Sequence, residues 1–211
     1  MRLPRVYPVL DTGTMEARGC SLTLAAAAFL EGGAGILQLR HKQHWARAVF
    51  DQAREVARIC REAGALLIVD DRADIAMLLD AGLHVGQDDL PPRDARRLMG
   101  SHAVIGFSSH NVPQICAAGG EPVDYVAFGP IFPTVSKRNP DPVTGIEALK
   151  ECRALVEKPL VAIGGITREA APHVWAAGAD SVAVISDLLP TALTSASLRR
   201  RMEEWQQLAT K

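Results

Sequence analysis

Gln38, Arg40 and Lys42 occupy alternate positions of one short segment, residues 36–42. Alternate side chains of a β-strand lie on the same face, so these three polar groups would project together while the residues between them project the other way. A solvated edge strand could carry scattered charges of this kind. An amide and two cations at one strand end also suit the binding of a phosphorylated ligand, and we favour that interpretation.

Two acidic pairs, Asp70-Asp71 and Asp88-Asp89, follow the next two strand-like segments. Mg²⁺ prefers one or two carboxylates, completed by phosphate oxygens and water, so these pairs indicate a cation site. The alternative is that the acids cap the helices that follow, which accounts for one acid per turn better than for two. Without a cation, a carboxylate beside a pyrophosphate would be repelled by roughly 4 kcal/mol per pair of unit charges at ~4 Å and an effective dielectric of about 20.

Residues 106–111 end a fifth strand-like segment and contain a serine and a histidine. Ser108 can donate to a phosphate oxygen or cap the next helix. His110 suits an acid/base group, a phosphate donor or a loop histidine. The GxSxG motif of serine hydrolases is absent, so we expect no serine nucleophile.

The longest irregular stretch, residues 129–142, follows the sixth strand-like segment. Thr134, Ser136 and Lys137 offer two hydroxyls and a cation there, a set suited to a carboxylate or a phosphate. Long loops in compact barrels tend to be functional, and the prolines of this stretch favour a stiff lid.

A second anion site is indicated by Gly164-Gly165 and Ser186, which end the last two strand-like segments. Glycines permit close approach of the backbone, and phosphate-binding barrels use backbone N–H groups of these two loops. Two phosphorylated small-molecule substrates meeting over one barrel mouth is the simplest interpretation.

Strand-like and helix-like segments alternate along the chain. The apolar runs are residues 6–10, 36–40, 66–71, 83–87, 104–108, 125–129, 160–165 and 181–186. The helical segments are residues 22–30, 45–63, 73–79, 93–99, 113–118, 146–156, 169–177 and 197–208. Eight pairs of this kind predict an α/β protein with a single (β/α)8 TIM barrel, residues 1–211 forming one domain. A doubly wound open sheet is the alternative, since periodicity does not reveal closure.

Composition excludes several classes of partner. Hydrophobic residues make up 48% and charged residues 22% of the 211 residues, and the net charge is −1. These values are those of an ordinary globular protein and give no footprint for nucleic acid or an anionic membrane. The sequence contains no signal-peptide core or membrane span, and its four cysteines are widely spaced, as free thiols of a reducing cytosol would be. We therefore expect a cytoplasmic protein, and the sequence allows a homo-oligomer.

Taken together, the motifs resemble thiamine-phosphate synthases, in the same order and over nearly the whole chain. The matching segments are Gln38-Leu39-Arg40-x-Lys42, Asp71-Arg72, Gly86-Gln87-Asp88-Asp89, residues 106–110, residues 129–137 and Ile163-Gly164-Gly165-Ile166. Each motif is weak by itself, and the ordered set is specific.

The resemblance implies a (β/α)8 barrel that joins two phosphorylated substrates with Mg²⁺. These are 4-amino-2-methyl-5-(diphosphooxymethyl)pyrimidine and a thiazole phosphate, either 4-methyl-5-(2-phosphooxyethyl)thiazole or its carboxylated tautomer. The products are thiamine phosphate and pyrophosphate. The implied chemistry is dissociative: pyrophosphate departs, and the thiazole nitrogen captures the pyrimidine methyl cation.

The resemblance also implies roles for particular residues. Those expected along the pyrophosphate, as its binding or catalytic groups, are Gln38, Arg40, Lys42, Ser108 and Lys137. Those expected to bind the metal are Asp71 and Asp89. Those expected at the thiazole phosphate are Thr134, Ser136, Gly165, Ile185 and Ser186. Stabilisation of the leaving pyrophosphate would then be the main catalytic contribution of the protein.

Asp70 departs from the resemblance, because these enzymes usually have asparagine there. We assign it to the substrate-binding set, where it could bind the metal, stay protonated or alter substrate choice. Two other functions stay open: a related thiazole tautomerase with His110 as its acid/base group, and a non-catalytic protein that binds a thiamine precursor. Asp71, Asp89 and Lys137 would be surplus in the tautomerase, which favours the synthase.

Overall fold

The computed structural model describes residues 2–134 and 141–210, and within them eight parallel strands close into a barrel in chain order. The strands are β1 (Val6–Asp11), β2 (Ile36–Arg40), β3 (Leu66–Asp70), β4 (Gly82–Val85), β5 (Ile105–Ser109), β6 (Tyr125–Phe128), β7 (Leu160–Ala162) and β8 (Ser181–Val184). Because β1 pairs with both β2 and β8, the sheet has no open edge. The predicted (β/α)8 barrel is confirmed, and the open sheet is excluded.

Helices follow the strands around the outside of the barrel. They are α1 (Thr12–Ala17), α2 (Leu22–Glu31), α3 (Arg47–Glu62), α4 (Ala73–Leu79), α5 (Pro92–Met99), α6 (Val112–Gly119), α7 (Gly145–Leu155), α8 (Ala171–Ala176) and α9 (Ser195–Ala209), with a 3₁₀ turn at Ser186–Leu188. In the part of the chain that the structure describes, no helix is long and apolar enough to cross a membrane.

Several bounds differ from the sequence-based expectation, and two of the differences have a clear local cause. Helix α1 was not expected, because its six residues are too few to show a 3.6-residue period. The side chain of Asp11 caps it by accepting the N–H of Thr14 at 2.8 Å. Strand β7 ends at Ala162 rather than at residue 165, because Gly164 and Gly165 adopt positive φ angles of 91° and 65° that turn the chain out of the sheet.

Side-chain alternation sorts the apolar residues of the strands into two layers. Leu37 and Leu39 belong to the cluster between the barrel and its helices. The residues that fill the barrel interior are Leu3, Tyr7, Ile36, Ile68, Tyr125, Ala127 and Val161. Ile36 is buried in the interior, and Gln38 and Arg40 follow it on the same face of β2. The predicted common direction of Gln38 and Arg40 follows from this arrangement.

Strand register brings the carboxyl ends of β1 to β4 together at one rim. Arg40 lies beside Asp11 on β1, and Asp70 lies beside His84 on β4. TIM barrels carry their functional groups at this end of the strands. The fold therefore makes neighbours of side chains that are far apart in the sequence.

A glycine makes room for an aromatic ring inside the barrel. Gly106 on β5 is paired with Tyr125 on β6, and a Cβ added to Gly106 would lie 2.1 Å from Cζ of the tyrosine ring. Tyr125 is fully buried. Since protein interiors are closely packed, a side chain at position 106 would have to displace this ring.

We expect Gly106→Ala to lower the free energy of unfolding by about 1–3 kcal/mol, the usual cost of overpacking a core. Urea denaturation measures this change. Gly119→Ala is the matched control, because the nearest atom to its added Cβ, Cγ2 of Val156, is 4.0 Å away. Equal losses of stability in the two variants would contradict the packing argument.

Candidate functional site

A cavity of about 680 Å³ opens at the carboxyl ends of the strands. The predicted site residues that line it are Gln38, Arg40, Lys42, Asp70, Asp71, Asp89, Ser108, Thr134, Gly165, Ile185 and Ser186. Ser136 and Lys137 lie outside the described residues. Every predicted site residue that the structure describes is thus gathered in one cavity.

A chain of ion pairs crosses the rim from β1 to β3. The guanidinium of Arg40 donates to the carboxylate of Asp11, and its Nε lies 3.5 Å from Oδ2 of Asp70. The ammonium of Lys42 lies 2.8 Å from the same oxygen of Asp70 and contacts the carboxylate of Asp71. The predicted cations of the second strand therefore lie directly against acids from the first and third strands.

Burial and charge act against each other within these ion pairs. Burial raises the pKa of Asp70, and Lys42 and Arg40 offset only part of that shift. Burial lowers the pKa of Lys42, but the charge of Asp70 and the contact with Asp71 outweigh it, so that pKa is raised. Lys42 is therefore a permanent cation at neutral pH.

Asp71 and Asp89 interact at the mouth of the cavity. Burial raises the pKa of Asp89, and the hydrogen bond and charge of Asp71 raise it further. Oδ2 of Asp89 also accepts the N–H of Gly86 at 2.7 Å. The N-cap residues of α4 and α5 are Arg72 and Pro91, so helix capping does not account for either acidic pair.

Two interacting carboxylates, of which Asp71 raises the pKa of Asp89, have the chemistry of a divalent-cation site. Among the described residues, no group of three or more histidine, cysteine or acidic side chains is arranged to hold a metal by itself. Mg²⁺ commonly uses one or two carboxylates and takes its remaining oxygens from phosphate and water. Asp71 and Asp89 fit that pattern.

A buried network of polar side chains lies beneath the cations. The hydroxyls of Tyr7 and Tyr125 are 2.9 Å apart, and the amide of Gln38 donates to Tyr7 at 3.3 Å. His84 joins Tyr125 to Ser108, with Nδ1 3.0 Å from the tyrosine hydroxyl and Nε2 2.8 Å from the serine hydroxyl. The network links β1, β2, β4, β5 and β6 across the barrel interior.

His84 is uncharged within this network. Burial lowers its pKa to about 4, and nearby Lys42 acts in the same direction. A neutral imidazole donates through one nitrogen and accepts through the other, so it can join the hydroxyls of Tyr125 and Ser108 in one chain. Burial also raises the pKa of Tyr7 and Tyr125, so both phenols stay protonated.

The structure separates the alternatives for Ser108 and bears on His110. The side chain that caps α6 is Asn111, which accepts the N–H of Gln114 at 3.0 Å. Ser108 lies on β5, three residues before Asn111, and does not cap the helix. It lines the cavity, so its hydroxyl can bind a ligand as well as His84. Nδ1 of His110 donates to the carbonyl of Gly129 at 2.6 Å, and His110 also lines the cavity.

The glycines after β7 have a second role that the sequence did not reveal. A Cβ on Gly164 would lie 2.4 Å from Cβ of Pro130, and one on Gly165 would lie 2.4 Å from the carbonyl oxygen of Pro133. The N–H of Phe132 donates to the carbonyl of Gly164 at 3.1 Å. The two glycines therefore let the loop after β6 pack against the loop after β7, as well as lining the cavity.

Sequence reasoning missed Tyr7, Asp11, His84 and Tyr125 as members of the site. Asp11 carried a signal, since it is an acid at a strand end, as Asp70 is. The other three are ordinary strand residues in sequence, and only barrel closure brings them together.

The comparisons with known proteins agree on one family. The family model described as thiamine monophosphate synthase matches residues 6–188. A thiamine-phosphate synthase of Koribacter versatilis is 48% identical over 192 residues, which is 90% of each chain. That of Chloroflexus aurantiacus is 39% identical over 197 residues, 93% of this chain and 90% of the other.

A solved structure gives the same result. The thiamine phosphate pyrophosphorylase from Pyrococcus furiosus superposes with a TM-score of 0.84 and is 30% identical, covering 98% of this chain and 95% of its own.

The neutral state of His84 predicts a pH dependence of stability. Its pKa is about 4 when folded and near 6.5 when unfolded, so between these values the unfolded chain binds more protons, and stability falls as pH falls. Between pH 7.5 and 5.0 the loss is about 2 kcal/mol. Urea denaturation of the protein and of His84→Asn at both pH values isolates this contribution. Identical pH slopes for the two proteins would contradict a buried neutral histidine.

Proposed function

Because the chain belongs to the thiamine monophosphate synthase family and is a transferase of thiamine biosynthesis, we propose the specific reaction that its cavity performs. It joins 4-amino-2-methyl-5-(diphosphooxymethyl)pyrimidine to 4-methyl-5-(2-phosphooxyethyl)thiazole or to its carboxylated tautomer, which also loses its carboxylate as carbon dioxide. The products are thiamine phosphate and pyrophosphate. The reaction depends on Mg²⁺ and is dissociative.

The charge of the rim is the observation that carries this proposal. Arg40 and Lys42 lie among the carboxylates of Asp11, Asp70, Asp71 and Asp89, and this group of six side chains has a formal excess of two negative charges. A pyrophosphate would be repelled by that excess unless positive charge arrived with it. Mg²⁺ held by Asp71 and Asp89 would supply that charge and neutralise the leaving pyrophosphate.

The side chains themselves bind and stabilise the leaving group. Arg40 and Lys42 are preorganised by their acidic partners at the strand end, in place to stabilise the negative charge that develops on a departing pyrophosphate. Ser108 adds a hydroxyl whose orientation is governed by its bond to neutral His84. Lys137, by the resemblance of its motif, adds a further cation.

The second substrate fits the opposite wall of the cavity. Gly165, Ile185 and Ser186 line that wall at the ends of β7 and β8, where phosphate-binding barrels hold a phosphate. Thr134 lines the cavity as well. A thiazole phosphate bound there would face a pyrimidine pyrophosphate bound at β2 to β4, which brings the thiazole nitrogen to the pyrimidine methyl carbon.

A dissociative reaction suits this set of residues. Departure of pyrophosphate leaves a methyl cation on the pyrimidine, and the ring nitrogen of the thiazole supplies the electron pair of the new C–N bond. The step requires stabilisation of a leaving anion and alignment of two substrates, and the side chains described here supply both.

We also assign the protein to the cytoplasm, which its four free cysteines support.

We expect purified protein to release pyrophosphate from the two substrates and Mg²⁺, with one thiamine phosphate formed for each pyrophosphate. Arg40→Met should lower kcat about 100-fold or more, because the leaving group loses a cation. Arg54→Met is the matched control, since Arg54 pairs with Asp51 on the exposed face of α3. Absence of pyrophosphate release from fresh substrates would reject the proposed reaction.

Asp71→Asn and Asp89→Asn should each raise the Mg²⁺ concentration for half-maximal rate by about tenfold or more, because each removes one of two anionic ligands. Magnesium titrations of the coupling rate measure this shift. Asp94→Asn is the control, as Asp94 is an exposed acid in the first turn of α5 and does not line the cavity. Unchanged titrations in both Asp71 and Asp89 variants would contradict the metal assignment.

A further inference from the structure

A salt bridge joins the two loops that follow β7 and β8. Nε of Arg168, in the loop after β7, lies 3.0 Å from Oδ2 of Asp187, in the 3₁₀ turn after β8. The same carboxylate oxygen accepts the indole N–H of Trp205 at 3.0 Å. Both residues lie beyond the ends of β7 and β8, where no β-sheet hydrogen bonds join the described chain segments. The contact between their side chains therefore holds the two loops at a fixed distance.

Helix α9 anchors this salt bridge from outside the barrel. Glu204 accepts hydrogen bonds from Arg168 and from Arg201, and Arg201 also donates to the backbone carbonyl of Asp187. Trp205 is fully buried and packs edge-to-face against Trp175 on α8, with 6.4 Å between the ring centres. The salt bridge is therefore held by a side chain of the buried core, Trp205, and does not depend on exposed residues alone.

The bridged residues are close in sequence to the phosphate-binding wall. Asp187 directly follows Ser186, and Arg168 is three positions beyond Gly165. Asp187 and Thr167 themselves line the cavity. A carboxylate at this place would repel a phosphate, and Arg168 and Arg201 balance the charges of Asp187 and Glu204.

We propose that Arg168 and Asp187 are positioning residues for the phosphate of the thiazole substrate. They hold the loops after β7 and β8 at the separation at which Gly165, Ile185 and Ser186 can contact one phosphate together. The proposal rests on the proposed function, because it assigns these loops to the thiazole phosphate. It adds a role for residues that do not need to touch that substrate.

The opposite end of the same two strands offers a matched comparison. Arg153 donates to Oδ2 of Asp180 at 2.8 Å, and that oxygen also accepts the N–H of Leu160 at 2.8 Å. This second Arg–Asp pair joins the beginnings of β7 and β8, at the end of the barrel away from the cavity. Its loss should affect stability alone.

The test is steady-state kinetics with each substrate varied in turn, on the full chain with Mg²⁺. Asp187→Ala and Arg168→Met should raise KM for the thiazole phosphate about tenfold or more, as displaced binding groups do, and leave KM for the pyrimidine pyrophosphate within about twofold. Asp187→Asn should restore most of the affinity, because an amide oxygen in the place of Oδ2 still accepts from both Arg168 and Trp205. Asp180→Ala should leave both KM values unchanged.

Several results would overturn the proposal. Equal changes of both KM values in the Asp187 and Arg168 variants, or an equal shift of the thiazole KM in Asp180→Ala, would assign the bridge to stability alone. If Asp187→Ala does not fold, Arg168→Met decides, since Arg168 is partly exposed. Absence of coupling by the unmodified protein would reject the proposed function instead, and calorimetric titration with thiazole phosphate would then test the bridge separately.

Discussion

Arg40 and Lys42 are held at the mouth of the barrel by the carboxylates of Asp11, Asp70 and Asp71, and the function of the cavity depends on this balance of charge. The attraction of the acids offsets the repulsion between the two cations and holds them in place before a ligand binds. They also leave this part of the rim negative, which is why the proposed function includes a cation that arrives with the phosphate ligand. One electrostatic arrangement thus holds the two cations in place and is the basis of the proposed dependence on Mg²⁺.

The interior of the barrel supports this rim with neutral groups. Tyr7, Tyr125, His84 and Ser108 form one hydrogen-bonded network directly below the ion pairs, and burial keeps both the phenols and the imidazole uncharged. A charged group there would have interacted with Asp70 or Lys42 and disturbed the balance above it. The polar groups of this network form their hydrogen bonds with one another inside the barrel. A fully hydrogen-bonded network of this kind is rigid and supports the site above it.

The sequence predicted those parts of the molecule that depend on local pattern. Alternation along β2 placed Gln38 and Arg40 on one face, because strand geometry alone decides that direction. It did not predict the contact of Arg40 with Asp11, or that of Asp187 with Trp205, because these pairs become neighbours only when the sheet closes and α9 packs on it. The role of Gly164 was predicted only in part, since packing against Pro130 depends on the path of another loop.

Asp70 shows how one residue can adjust this balance. The resemblance leads us to expect asparagine at this position, which would be polar but uncharged. Asp70 is only 6% exposed, and a buried carboxylate needs nearby counter-ions, so it draws Lys42 and the guanidinium of Arg40 toward itself. In the proposed reaction, a pyrophosphate would compete with Asp70 for these cations, whereas an amide would leave them to the ligand. Within the proposed function, the extra acid would therefore make binding depend more strongly on positive charge that the protein does not itself supply.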